Sequence, residues 1–449
     1  MLHYVEFDAA ALQKIASEAA GAKSCLSIRK IAEGAFNKIF LLRLDNNKEV
    51  IARIPCSSAG PPHFATASEV ATMDFALDHL HLPVPKVLAW SSRLVGNPVG
   101  AEYIIMEYMP GVPLEQRWLG MTGDEAISLI ENVVRMEKRY TEFQFSQIGS
   151  LYFKEDVDPE LQGRRLYANG APDDEASEKY RIGPTLQWDF WREEWLTMNV
   201  DRGPWPDLQS YGHAIFRCEQ QWLGAYARSH SLYDPLCWSS EERPPDPEAH
   251  LEMLDRFLSV IPLLNIPSEL LRSTFWYTGL QKSNVMVAPT GYPEITGLLD
   301  WKNLWIGPRF IQAVFAPLFI YDGDMVDLHG LPPDLPDNFE ELSDEEKAKI
   351  KTHIKLACQH KVYEYTMEEH DPEHFRVLTY RHYGTIANLF QNASRIWLDG
   401  VSPLRQSLIE TAAHWKEMAG PDIPCPLTFS KEELASHSKL HDKALAREA

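Results

Sequence analysis

The sequence predicts an α+β fold, with antiparallel strands near the N-terminus and mostly helices after Pro110. Three observations predict it. Alternating apolar residues around two tight turns mark consecutive strands near the N-terminus, the pattern of an antiparallel meander. Apolar residues at helical spacing, opened by capping signals, dominate the chain after Pro110. A single strand pair, within Phe275 to Trp301, interrupts those helices and carries polar residues at its mouth.

Asp8 precedes Leu12, Ile15 and Ala16 at helical spacing and Gly21 closes the run, which reads as a short capped helix. Leu26, Ile28 and Ile31 form a first strand, Glu33-Gly34-Ala35-Phe36-Asn37-Lys38 a turn, Phe40, Leu42 and Leu44 a second strand, and Val50, Ala52 and Ile54 a third. The lone Gly34 falls far short of a phosphate-cradling loop, and a plain hairpin turn is the commoner explanation. Thr66 to Leu80 carries Val70, Met73, Leu77 and Leu80 on one helix face. Glu69 stands three residues after Thr66, where its plainest role is to complete a capping box. Pro83-Val84-Pro85 then breaks the chain, and Val87 to Trp90 gives a short strand. Tyr103-Ile104-Ile105-Met106 is an apolar run of buried-strand type that leads into Glu107-Tyr108-Met109-Pro110-Gly111.

After Pro110, Thr122 with Glu125 opens a helix through Ile127, Ile130, Val134 and Met136, and Ser343 with Glu346 opens a long one through Ile350, Ile354, Ala357 and Val362. Helical patterns also run from Phe216 to Tyr226, Leu251 to Ile261, Tyr380 to Asn392 and Leu404 to Met418, with a loop at Pro244, Pro245 and Pro247. Between Ile148 and Tyr211 periodicity fades and aromatic residues crowd, among them Tyr152, Phe153, Tyr167, Trp188, Phe190, Trp191, Trp195 and Trp205. These rings either line a pocket for a bulky organic substrate or pack an irregular insertion as ordinary core.

The stretch FWYTGLQKSNVMVAPTGYPEITGLLDW, Phe275 to Trp301, carries the chemistry. Val285-Met286-Val287 reads as a buried strand, Pro289, Gly291 and Pro293 as a turn, and Ile295 to Leu299 as a second strand that delivers Asp300. Such a hairpin brings Asn284 and Asp300 to one mouth, where an amide oxygen beside a carboxylate suits Mg²⁺. The region resembles the active-site hairpin of the aminoglycoside phosphotransferase and choline-kinase-like family, especially its fungal group. Members of that family read His-x-Asp-Leu-His-x-x-Asn and, after a strand turn, Asp-Trp. This chain keeps Leu280, Asn284, Asp300 and Trp301. It departs at three positions of the motif: Tyr277 stands at the first His, Gly279 at the catalytic Asp and Gln281 at the second His.

The resemblance covers nearly the whole chain after Ser27 and implies a two-lobed protein-kinase-like fold, a small antiparallel-sheet lobe with the hinge over residues 1–110 and a large, mostly helical lobe over residues 111–449, with ATP and Mg²⁺ as possible cofactors. It implies that Asn284 and Asp300 hold the metal. Arg53 stands where such folds place a lysine toward the nucleotide phosphates, paired with Glu69 of the following helix. Gly34 falls in the loop over the phosphates, and Glu107 and Tyr108 belong to the hinge whose backbone meets adenine. No base is implied. General acid–base help is worth about 10²–10⁴-fold, and Gly279 has no side chain to give it. Tyr277, Gln281 and Lys282 are the possible substitutes, although Tyr and Lys are poor bases at neutral pH unless their pKa falls.

Composition bounds the remainder. Forty-three basic against 64 acidic residues give a net charge of −21, which opposes nonspecific binding to nucleic acid or an anionic membrane and makes any phosphate site depend on local positive charge. No apolar run reaches about 18 residues, so no transmembrane helix is expected. The six cysteines lack paired or metal-ligand spacing, which fits a reducing compartment. With no Arg before Arg29 a mitochondrial presequence is not expected, and the cytoplasm is the expected location. Neither a zinc-type His/Cys pairing nor a Gly-x-Ser-x-Gly elbow is present.

Three functional readings follow. The first is a catalytically atypical kinase-fold protein of metabolism whose cleft binds a small organic metabolite, with or without nucleotide. The second is an active ATP- and Mg²⁺-dependent small-molecule hydroxyl kinase with an unusual base. The third is a noncatalytic pseudokinase that binds a protein partner.

Overall fold

The N-terminal alternation folds into an antiparallel sheet. β1 (Cys25–Glu33), β2 (Asn37–Leu44) and β3 (Glu49–Pro55) pair in succession, and β4 (Val87–Ser91) and β5 (Tyr103–Glu107) complete the order β1-β2-β3-β5-β4. The computed structural model describes residues 4–168, 174–226, 247–312, 314–327 and 329–448. Helix α1 (Ala9–Ala19) packs Leu12 and Ala16 on the sheet with Leu42, Leu44 and Val50. Asp8 caps it, accepting from the amides of Ala10 and Ala11 at 2.8 and 2.9 Å.

Helix α2 (Phe64–Asp78) starts before Thr66, so the capping box expected from Thr66 and Glu69 does not form. Thr66 lies inside the helix and its hydroxyl donates to Glu102 at 2.5 Å, while Glu69 turns to Arg53 on β3. The helix is buried on most of its surface because it lies between the sheet and the large lobe. On the large-lobe side, Phe75 meets Phe143, Phe145, Tyr180 and Phe275, with ring centroids 5.4 to 6.1 Å apart.

After β5 the chain crosses to a second sheet at Gly111, whose φ is 109°. A Cβ there would lie 2.4 Å from the Val287 carbonyl oxygen, so the close approach of the two segments requires glycine. β6 (Val112–Pro113) joins this sheet, followed by α3 (Glu115–Trp118) and α4 (Gly123–Tyr140). The Thr122/Glu125 capping box opens α4 as expected, and the Ser343/Glu346 box opens the helix Asp344–His370.

The aromatic stretch folds around an antiparallel ribbon of β7 (Ser150–Phe153) and β8 (Tyr180–Gly183). Its rings are mostly core, the second of the two alternatives that the sequence leaves open. Tyr152, Tyr167, Phe190, Trp195 and Trp205 are buried, and Trp195 stacks on Trp222 at 4.6 Å. Trp188 is the outlier and lies exposed. β9 (Ser273–Thr274) leads into the hairpin of β10 (Val285–Val287) and β11 (Ile295–Leu298), and β12 (Gly307–Pro308) returns to pair with β9. The third sheet neighbour of the hairpin is β6, in the order β11-β10-β6. The remaining expected helices are present as Leu208–Tyr226, Pro247–Val260, Tyr383–Ser394, Val401–Ala413 and Trp415–Met418. Of the expected proline loop, Pro244 and Pro245 lie outside the described residues, and Pro247 opens a helix.

Among the buried acids of the large lobe, Glu137 lies between two of its helices. Glu137 on α4 accepts from the Tyr363 hydroxyl of the helix Asp344–His370 at 2.7 Å. Burial, with the charge of Asp371 adding to it, raises the Glu137 carboxyl to about 8 against the opposing hydrogen bond from Tyr363. The folded value lies above the unfolded one, so the contribution of this group is intact below the ordinary carboxylate range and is lost as pH rises through about 8. Urea unfolding across that window should show Glu137→Gln losing less stability than the wild type, by on the order of a few kcal/mol. Parallel pH profiles for the two proteins would contradict this assignment.

Candidate functional site

A cleft of about 490 Å³ lies between the five-stranded sheet and the hairpin. From the small lobe it is lined by Gly34, Phe36, Arg53 and Glu69, at the crossing by Glu107 and Tyr108, and from the hairpin by Asn284, Asp300 and Lys302. The fold thus gathers on one cleft the residues singled out for nucleotide and metal. Tyr277, Gly279, Gln281 and Lys282 do not line it.

Arg53 and Glu69 form a two-pronged ion pair, each guanidinium terminus donating to one carboxylate oxygen. They are 7% and 4% exposed, so the pair is a buried tie between β3 and α2. Gly34 sits in the β1–β2 turn, its amide donating to the Asn37 carbonyl at 3.0 Å. A Cβ at Gly34 would meet nothing within 4 Å, so packing places no demand for glycine there. Glu107 ends β5 on the cleft rim and Tyr108 follows it, largely exposed.

The hairpin sets the other wall. Met286 pairs with Gly297 and Val285 with Leu298, and the Leu299 amide donates to the Asn284 carbonyl at 2.9 Å. This bond holds Asn284 beside the residue that precedes Asp300. Asp300 has φ 63°, in the left-handed region, where a short polar side chain is tolerated best after glycine. The Asn284 amide group donates to the Gly279 carbonyl at 3.2 Å, which leaves its oxygen for other partners. That oxygen and the Asp300 carboxylate are hard donors of the kind Mg²⁺ takes. Among the described residues no group of three or more His, Cys, Asp or Glu side chains could hold a metal ion. A metal here would therefore take the rest of its shell from phosphate oxygens and water.

Tyr277 ties two of the motif's three departures, its own and Gly279, into one packing unit. Its ring is buried and stacks on Trp301 at 4.3 Å, and its hydroxyl donates to the Leu299 carbonyl. A Cβ at position 279 would fall 2.6 Å from the end of that ring. A side chain at residue 279 would have to push the tyrosine ring out of this place. Burial, with the Asp300 charge adding to it, pushes the Tyr277 phenol above its ordinary value, which removes it as a substitute base. Of the other two, Gln281 is exposed and the Lys282 ammonium lies 4.4 Å from the Trp118 ring centroid, off the cleft lining.

Lys302 was not singled out by the sequence. Its ammonium pairs with Asp300 at 3.0 Å and lies 4.6 Å from the Phe36 ring centroid on the opposite lobe. The available signal was a cation two residues after the metal-type Asp. The ring that receives it lies far away in sequence.

Two outcomes are expected from this geometry. Glu69→Ala strands the buried Arg53 charge and should lower unfolding free energy by about 3–5 kcal/mol, whereas Arg53→Met with Glu69→Leu should cost less than the single change. Denaturant unfolding of both variants checks this, and an equal or larger cost in the double variant would contradict it. Gly279→Asp alone should lose about 1–3 kcal/mol by overpacking against Tyr277, and adding Tyr277→His should restore at least part of it. If Gly279→Asp melts like the wild type, the ring moves aside freely.

A family model described as the phosphotransferase enzyme family matches residues 27–316. A subtelomeric hrmA-associated cluster protein of Aspergillus fumigatus is 34% identical over 438 residues, covering 91% of this chain and 83% of that one. A protein of Yarrowia lipolytica named altered inheritance of mitochondria protein 9, mitochondrial, is 25% identical over 436 residues, covering 92% and 71%. The streptomycin–ATP ternary complex of APH(2'')-IIa is similar at a TM-score of 0.38 and 11% identity, covering 92% of this chain and 99% of that one. The mitochondrial name carried by the yeast relatives conflicts with the cytoplasmic expectation, which is corrected here. Cysteine spacing separates reducing from oxidising surroundings and does not separate one reducing compartment from another. No helix among the described residues is long and apolar enough to cross a membrane. The chain belongs to the phosphotransferase enzyme family and has its two-lobed, kinase-like fold.

Proposed function

We propose that this chain is a catalytically atypical kinase-fold protein whose interlobe cleft binds a nucleotide together with a small organic metabolite, without ordinary phosphoryl transfer. The observation that carries the reading is the Tyr277 ring, which occupies the space a side chain at position 279 would need. An acceptor hydroxyl in the cleft thus meets no carboxylate there to orient it and take its proton. Arg53, held by Glu69, and the rim residues Glu107 and Tyr108 support nucleotide binding. Asn284 and Asp300 would hold Mg²⁺, which would supply positive charge to offset that of the phosphates. The net charge of −21 supports a small ligand rather than nucleic acid.

A second reading, an active small-molecule hydroxyl kinase, is favoured by the presence of Arg53, Glu69, Asn284 and Asp300 on one cleft. Phosphoryl transfer passes through a loose transition state in which positioning and charge supply most of the rate, so loss of the base leaves slow transfer possible. Calorimetric titration with Mg·ATP tests what the two readings share. The wild type should bind, and Asp300→Ala, which removes the metal's carboxylate, should bind up to about tenfold more weakly. No heat with either protein would take the cleft out of nucleotide chemistry and turn the search to organic metabolites alone.

A further inference from the structure

The cleft is poor in positive charge for a site that takes phosphates. The charged residues on its lining are Glu33, Arg53, Glu69, Glu107, Asp300 and Lys302. Of the two cations, Arg53 has both guanidinium termini engaged by Glu69. Lys302 is placed differently. Its ammonium carries three donors, of which the pair with Asp300 takes one, and its side chain is about one quarter exposed toward the cleft. It stands between the hairpin and the β1–β2 turn, against Phe36. A cation between these two walls supplies the charge that the acidic surroundings withhold.

The same placement bears on the metal. Asp300 is the carboxylate of the Asn284–Asp300 pair, and the ammonium already neutralises it at 3.0 Å. A divalent ion arriving there must share that carboxylate with a resident monovalent cation, which weakens its hold. Meanwhile phosphate oxygens can take N–H donors from Lys302 directly, as charge-assisted hydrogen bonds.

We propose that Lys302 is a phosphate-binding residue of the cleft that takes over at Asp300 part of the charge neutralisation a divalent ion would give, so that nucleotide polyphosphate binds with little dependence on Mg²⁺. This rests on the nucleotide-binding reading above. The test is calorimetric titration of the full chain with ATP, once with Mg²⁺ and once with EDTA, for the wild type, Lys302→Met and Lys302→Arg. Thermal melting of each variant confirms folding. The wild type should bind in EDTA within about tenfold of its Mg²⁺ affinity, and Lys302→Met should lose about tenfold or more in EDTA and less with Mg²⁺, one charged contact being worth roughly that factor. Lys302→Arg should keep most of the metal-free binding. Wild-type binding that requires Mg²⁺, or metal-free binding that survives in Lys302→Met, overturns the role of Lys302 and leaves the nucleotide reading standing. Absence of wild-type binding under both conditions overturns both.

Discussion

The contact on which the site depends is Tyr277 against Trp301. The ring stacks on the indole and its hydroxyl holds the Leu299 carbonyl, so one side chain fixes the backbone immediately before Asp300. The same ring closes the space over Gly279. A tyrosine here and a glycine two residues on are therefore one arrangement and not two independent losses. The hairpin thus carries a buried aromatic strut against the backbone that leads to Asp300, which is left-handed and lies beside Asn284.

The opposite wall is built on a different principle. Helix α2 lies between the sheet and the large lobe, and the buried Arg53–Glu69 pair locks it to β3. Such a pair adds little net stability compared with apolar packing, yet leaving either partner alone is costly, so it fixes the helix in one place. With that wall fixed and the hairpin strutted by Tyr277, the cleft is shaped by rigid elements from both lobes. Lys302 is the side chain that reaches from one wall to the other.

What could be read in the sequence is what local chemistry decides. The caps at Asp8, Thr122 and Ser343 formed because their partners lie within a turn, and β1 to β3 formed because alternation over a tight turn leaves few alternatives. Asn284 and Asp300 share a hairpin mouth for the same reason. The failures are tertiary. Thr66 and Glu69 carry the spacing of a capping box, but Glu102, 36 residues further on, takes the hydroxyl and Arg53 takes the carboxylate. Pocket and core were both compatible with the aromatic stretch, and partners such as Trp222, on another element, settled it as core. The clash that couples Gly279 to Tyr277 depends on how the ring is seated by Trp301, which no spacing rule encodes.

The central claim is that Tyr277 has closed the place of the base, so that the cleft binds without ordinary transfer. The most direct measurement is the transfer of labelled γ-phosphate from Mg·ATP to a panel of hydroxylated metabolites by the wild-type chain. Turnover far below the roughly 1–100 s⁻¹ usual for kinases is the expected result. Transfer at that ordinary rate to any acceptor would contradict the account.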